Sequence, residues 1–297
     1  MFRGLSAFPL TPMKDGAIDE TAFVLLLERL VAAGVDSICA LGSTGSYAYL
    51  TLAERQRIAQ LAIEHGAGVP VIIGIGALST RDVIALAAHA QEAGAAGVLL
   101  APVSYQKLTD DEVFGLYEAA TRSLSIPLCV YDNPGTTHFE FSDQLHGRIA
   151  QLPQVASIKI PGVPSEPDAA IDRVGRLRAL IPSHVTIGVS GDRFGATGLN
   201  AGCEAWYSAI GGLFPRAALA ICRAAQTGDA DEAHRLSACL DPLWAMFSQH
   251  GSLRVIATAA ELHGLVASPC LPLPVQALGG PARLQLAGLL ETLDLTS

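Results

Sequence analysis

The 297-residue sequence is poor in charge. Only 16% of its residues are Asp, Glu, Lys or Arg, and the acids prevail to a net charge of −9. No basic cluster stands out, which argues against a nucleic-acid partner. Long hydrophobic runs are also missing: the longest apolar stretches are broken by glycine, proline or a charge, and none reads as a membrane span. Met1-Phe-Arg-Gly-Leu5 lacks the long apolar segment of a signal peptide, so a cytoplasmic location is the default expectation. The six cysteines, at 39, 129, 203, 222, 239 and 270, form no Cys-x-x-Cys pair and have no histidine cluster beside them. Without ligand spacing no metal site is expected. Cys39 and Cys129 lie in apolar runs and read as small buried hydrophobes in a reducing compartment.

What is present is a chain that is 50% apolar, enough for a large buried core. Short runs rich in Val, Ile and Leu alternate with helical patterns. The strand-like runs are Gly4–Phe8, Val35–Leu41, Val69–Ile75, Gly97–Ala101, Ile126–Tyr131, Val155–Ile160, Val185–Val189 and Ala205–Ser208. Asp19, Thr51, Ser79, Thr109 and Ser142 stand where helix N-caps belong, and Ala-Gly breaks at 33–34, 93–94 and 201–202 recur just before strands. Apolar strands with little polar alternation suit parallel strands covered on both faces. The count of eight predicts an α/β fold of the (β/α)8, or TIM, barrel type over residues 1–228. A doubly wound open sheet is the alternative. It would need a nucleotide-binding glycine loop, and Gly74-Ile-Gly76-Ala-Leu-Ser79 falls short of that spacing. Beyond residue 228 only helices are expected: Asp231–His250, Leu253–His263 and Pro281–Leu293. These make residues 229–297 a C-terminal helical extension.

One strand carries a residue out of keeping with its neighbours. In Val155-Ala-Ser-Ile-Lys-Ile-Pro161, Lys159 sits between two isoleucines. An ammonium there is costly unless it is paired or its pKa falls. A lysine of lowered pKa is a nucleophile that forms a Schiff base with a carbonyl. The competing reading is a lysine that snorkels to a surface ion pair. The other strand ends favour chemistry, because a barrel gathers them around one cavity. Gly42-Ser-Thr-Gly45 lets backbone N–H groups approach a carboxylate closely, and Ser43 and Thr44 add hydroxyls. The Tyr131 hydroxyl both donates and accepts, as a proton relay to a carbinolamine must.

Gly42-Ser-Thr-Gly45, Tyr131-Asp-Asn-Pro134, Ser157-Ile-Lys-Ile160, Ser190-Gly-Asp192 and Gly202-Cys-Glu-Ala-Trp-Tyr-Ser208 together resemble the dihydrodipicolinate synthase/N-acetylneuraminate lyase family of Schiff-base aldolases. The resemblance covers nearly the whole chain. It implies a barrel with a C-terminal helical extension, assembled as a homotetramer or homodimer. It also implies a lyase in which Lys159 forms an imine with pyruvate or a related 2-oxo acid, Tyr131 relays protons with Thr44 hydrogen-bonded to it, and Ser43 and Thr44 hold the carboxylate. Tyr207 joins these as a substrate-binding candidate. The protonated imine is its own electron sink, so neither a metal nor another cofactor is expected.

The departures bear on the aldehyde partner. The synthase carries an arginine two residues after its Tyr-Asn-x-Pro proline, where it grips a second carboxylate; here that position is Thr136. The family glutamate after the glycine turn is Ser46. Tyr105 is the nearest match to a tyrosine lent by a neighbouring subunit, one position off. No arginine or lysine lies in the 132–141 loop to replace the lost cation, and Arg193 is the first alternative. An uncharged aldehyde is therefore expected over aspartate semialdehyde, with the synthase itself, or a barrel that binds 2-oxo acids without turnover, as alternatives.

Overall fold

The sequence pattern resolves, in a computed structural model that describes residues 1–293 and Leu295, into eight parallel strands closed on themselves. They are β1 Gly4–Ala7, β2 Ser37–Ala40, β3 Val71–Gly74, β4 Gly97–Leu100, β5 Leu128–Tyr131, β6 Val155–Ile160, β7 Thr186–Val189 and β8 Ala205–Ser208. β8 pairs with β1, setting Ala205 opposite Gly4, and β1 pairs in turn with β2, setting Ser6 opposite Ser37. The helices between them are α1 Glu20–Ala33, α2 Leu52–Glu64, α3 Thr80–Glu92, α4 Asp110–Ser123, α5 Asp143–Ala150, α6 Pro167–Arg178, α7 Gly195–Asn200 and α8 Pro215–Gln226.

The helix starts are fixed locally. Asp19, Ser79 and Ser142 each accept a backbone N–H three residues on. Thr51 with Glu54, and Thr109 with Glu112, form complete capping boxes, which satisfy two otherwise orphaned donors per helix. A feature absent from the sequence-based expectation is a small hairpin, Met13–Lys14 against Ala17–Ile18. Asp15 (φ 52°) and Gly16 (φ 79°) turn it, and Asp-Gly is the dipeptide that tolerates positive φ at both central turn positions.

Strand periodicity divides the core in two. Ile38, Val98, Leu128, Val130, Ile158 and Ile160 point outward into the layer shared with the helices. Cys39, Ile72, Leu99, Cys129, Tyr131 and Tyr207 point inward and pack with Phe2 and Phe8. Each fully buried isoleucine of β6 contributes about 1.5–3 kcal/mol. The same alternation turns Lys159 and Ser157 into the barrel.

The chain continues into α9 Ala230–Ala238, α10 Asp241–His250, α11 Ser252–Leu262 and α12 Gly280–Leu293. The single helix expected over Asp231–His250 is thus two. Pro242 is the reason: its ring and missing N–H are tolerated in a first turn and not in a helix interior. Met13 N–H donates to Cys270 O at 2.9 Å, which ties the hairpin to the proline-rich segment 268–274 between α11 and α12. Arg283 pairs with the nearly buried Glu261 at 2.6 Å, joining α12 to α11. Residues 294, 296 and 297 of the expected extension lie outside the described residues. Among the described residues no helix is long and apolar enough to cross a membrane.

The barrel interior has little slack. Gly188 stands opposite Lys159 on β6 and Ala205 on β8, and a Cβ there would come within 2.2 Å of the Tyr207 ring. Gly188→Ala is expected to lower stability by about 1–3 kcal/mol through overpacking, read as a lower urea midpoint at unchanged slope. An unchanged midpoint would mean that the ring moves aside freely.

Candidate active site

The C-terminal ends of the strands open into a cavity of about 850 Å³. Lys159, the only buried one of the chain's three lysines, reaches it from β6. Its Nζ lies 4.4 Å from the ring centre of Tyr131, 5.1 Å from that of Phe8 and 5.6 Å from that of Tyr207. Among the described residues it has no carboxylate within ion-pairing distance. Two influences oppose each other here. Burial favours the neutral amine, while the neighbouring thiols, when ionised, and Asp192 favour the ammonium. Burial wins, and the Lys159 pKa falls to about 8. About one molecule in ten then carries a free amine at pH 7, against about one in three thousand for an ordinary lysine.

Tyr131 ends β5, facing inward. Its hydroxyl lies 3.1 Å from Ser43 Oγ and accepts a hydrogen bond from Asn133 Nδ2 at 2.7 Å. Burial raises its pKa and keeps it protonated. The expected partner, Thr44, makes no such bond; Ser43 takes that place, and Asn133 is a contributor that sequence reasoning passed over. The reason is local. The turn after β2 directs the half-buried Ser43 side chain toward β5, while Thr44 is buried beside it in the cavity lining. The N–H groups of Ser43, Thr44 and Gly45 donate to no backbone carbonyl among the described residues, which leaves them available to a carboxylate.

Tyr207 also lines the cavity, but with its ring. Its hydroxyl points down the barrel, 2.6 Å from Ser157 Oγ and 3.3 Å from Cys129 Sγ, so it closes the floor and offers no hydroxyl to a substrate. Thr136 lines the rim and carries no charge. Tyr105 is 91% exposed and lies outside this chain's cavity. Asp132 faces away from the cavity, as strand alternation from Tyr131 requires. It contacts His146 Nε2 at 3.4 Å. Burial pushes the Asp132 carboxyl up to about 7 and His146 down to about 4, so the contact is not an ion pair at neutral pH. Asp192 is buried and accepts from Ser208 Oγ at 2.7 Å and from the N–H groups of Ala209 and Ile210.

The 132–141 loop brings no cation, as expected. Two arginines from elsewhere do reach the cavity: Arg193 after β7, the alternative named from sequence, and Arg254 of α11, which was missed. Arg254 lies in the helical extension, more than forty residues from any strand-end motif, and no local signal marks it. Trp244 and Phe247 of α10 line the same cavity.

Comparison with known proteins agrees with this geometry. The model of the dihydrodipicolinate synthetase family matches residues 1–293. The chain belongs to that family. It is 30% identical to the 4-hydroxy-tetrahydrodipicolinate synthase of Pelobacter propionicus, over 99% of this chain and all of that one. It is 34% identical to the enzyme of the same name from Halorhodospira halophila, over 97% and 96% of the two chains. The crystal structure of dihydrodipicolinate synthase from Agrobacterium tumefaciens superposes with a TM-score of 0.94 at 44% identity, covering 98% of each chain. Membership places the chain among the class I lyases that work through a lysine imine on pyruvate.

Removing the Tyr131 hydroxyl tests the relay. Tyr131→Phe is expected to cut turnover about 10²–10⁴-fold, the usual size of a general acid–base contribution, with a much smaller effect on pyruvate binding. Near-normal turnover would assign the proton to another group.

Proposed function

We propose that the protein is a lyase or aldolase that joins pyruvate, or a related 2-oxo acid, to an aldehyde other than aspartate semialdehyde, or runs the corresponding cleavage or dehydration. The observation that carries this is Lys159, buried, unpaired and of lowered pKa, with the Tyr131 hydroxyl on the neighbouring strand. The free amine attacks the C2 ketone to give a carbinolamine. Tyr131 passes a proton to the departing oxygen, which leaves as water, and an imine remains. The α-carboxylate is held by the free N–H groups and hydroxyls of the Gly42–Gly45 turn. Loss of a C3 proton then gives an enamine, which adds to the aldehyde carbon; cleavage is the reverse. No step calls for a metal or another cofactor.

The names of the relatives favour a second reading, 4-hydroxy-tetrahydrodipicolinate synthesis from aspartate semialdehyde. Thr136 weighs against it, because a threonine cannot replace a bidentate guanidinium on that wall. We further propose a cytoplasmic homotetramer or homodimer. Exposed Tyr105 would be lent to a neighbouring subunit. Residues 1–228 would form the barrel unit, and residues 229–297 an extension that completes the cavity.

Incubation with pyruvate and borohydride is expected to add one reduced adduct per chain, on Lys159, and Lys159→Ala to abolish it. No adduct with pyruvate or with longer 2-oxo acids would remove the mechanism. For the acceptor, kcat/KM with aspartate semialdehyde is expected to fall about ten- to a hundredfold below that of uncharged aldehydes, the cost of one lost charge-assisted contact. A clear win for aspartate semialdehyde would mean that Arg193 or Arg254 has taken over the missing loop cation, and would restore the synthase reading.

A further inference from the structure

Two guanidinium groups in the lining of the Lys159 cavity have no acidic partner. Arg254 projects from the first turn of α11, and Arg193 from the turn after β7. Nine other arginines form ion pairs; among the described residues these two form none. Arg193 lies over the Phe194 ring, its guanidinium carbon 4.4 Å from the ring centre. The charged side chains of the lining are Lys159, Arg193, Arg254 and Asp192. Asp192 is buried, and its two oxygens already accept from Ser208, Ala209 and Ile210. The cavity therefore holds an excess of positive charge, and that excess comes from a different wall than the β5 loop.

We propose that Arg254, with Arg193 as a second cation, holds a carboxylate at the far end of the 2-oxo acid, so that the preferred substrate is a 2-oxo dicarboxylate. This rests on the imine reading above. The α-carboxylate occupies the Gly42–Gly45 turn, the ketone carbon meets Lys159, and the chain runs outward to the terminal carboxylate. A planar guanidinium matches a carboxylate in two parallel hydrogen bonds. Aspartate semialdehyde fits such an end poorly. Its ammonium is borne by the same carbon as its carboxylate and two guanidiniums repel it, while the acid of the lining, Asp192, is buried and already accepts from Ser208, Ala209 and Ile210. The loss of the loop cation at Thr136 and the presence of Arg254 thus point to one substrate class.

The probes are 2-oxoglutarate and 2-oxopentanoate, which share a five-carbon chain and differ in a terminal carboxylate against a methyl. Their half-saturation concentrations for borohydride trapping are compared in the wild type, Arg254→Ala, Arg254→Lys and Arg193→Ala. The ratio cancels any common effect of a substitution on folding or imine formation. Both guanidiniums are exposed, so solvent screening limits the expected preference for 2-oxoglutarate to about three- to thirtyfold, shrinking with added salt. Arg254→Ala should lose most of that preference, Arg193→Ala part of it, and Arg254→Lys should retain a portion. No preference in the wild type, or a full preference in Arg254→Ala, overturns the proposal. If no acid is trapped, the imine reading fails separately, and calorimetric titration of the same two acids still reads the arginine by the same ratio.

Discussion

The structure turns on keeping one amine out of water. Lys159 could hold its proton cheaply if a carboxylate stood beside it, yet its surroundings are the rings of Phe8, Tyr131 and Tyr207. The nearest acid in the lining, Asp192, spends its oxygens on Ser208 and the backbone after β8. The rings attract an ammonium weakly, and loss of hydration outweighs them. A compromise follows. The amine is neutral often enough to attack a ketone, and the remaining positive bias suits an iminium that must draw electrons from C3.

The barrel supplies this environment by alternation. In β6, Ile158 and Ile160 bind the strand to the helices while Ser157 and Lys159 turn inward. Ser157 holds the Tyr207 hydroxyl at 2.6 Å, which lays the tyrosine ring across the floor beneath the amine, and Gly188 leaves room for that ring. Tyr131 is placed one strand away, opposite Lys159 in the ladder, with Ser43 and Asn133 fixing its hydroxyl. The extension then adds to the cavity from outside the barrel, with Trp244, Phe247 and Arg254. Lys159 comes from a strand and Tyr131 from the strand beside it, while Arg193 and Arg254 come from a loop and an added helix. On the proposed reading, chemistry and selectivity rest on different parts of the chain.

Much of this was legible in the sequence because the signals were local. Caps at Asp19, Thr51, Ser79, Thr109 and Ser142 mark helix starts by hydrogen bonds that reach only three residues. Strand runs need only composition, and a lysine between isoleucines is visible in a seven-residue window. The misses are of two kinds. Some local signals were present and passed over: Asp15-Gly16 marks a hairpin, Pro242 divides a helix, and Asn133 stands two residues from the tyrosine it serves. Others were not local at all. The exchange of Ser43 for Thr44 as the Tyr131 partner depends on how one turn faces a strand about ninety residues away. Arg254 enters the cavity only because α11 folds back over the barrel mouth.

The central claim, that burial lowers the Lys159 pKa until a reactive share of its amine is neutral, is open to direct measurement. With three lysines in the chain, ¹⁵N labelling of lysine side chains gives a spectrum simple enough to titrate, and Lys159 is assigned by its loss in Lys159→Ala. A midpoint near pH 8 is predicted. A midpoint near 10.5, that of an ordinary lysine, would contradict the account.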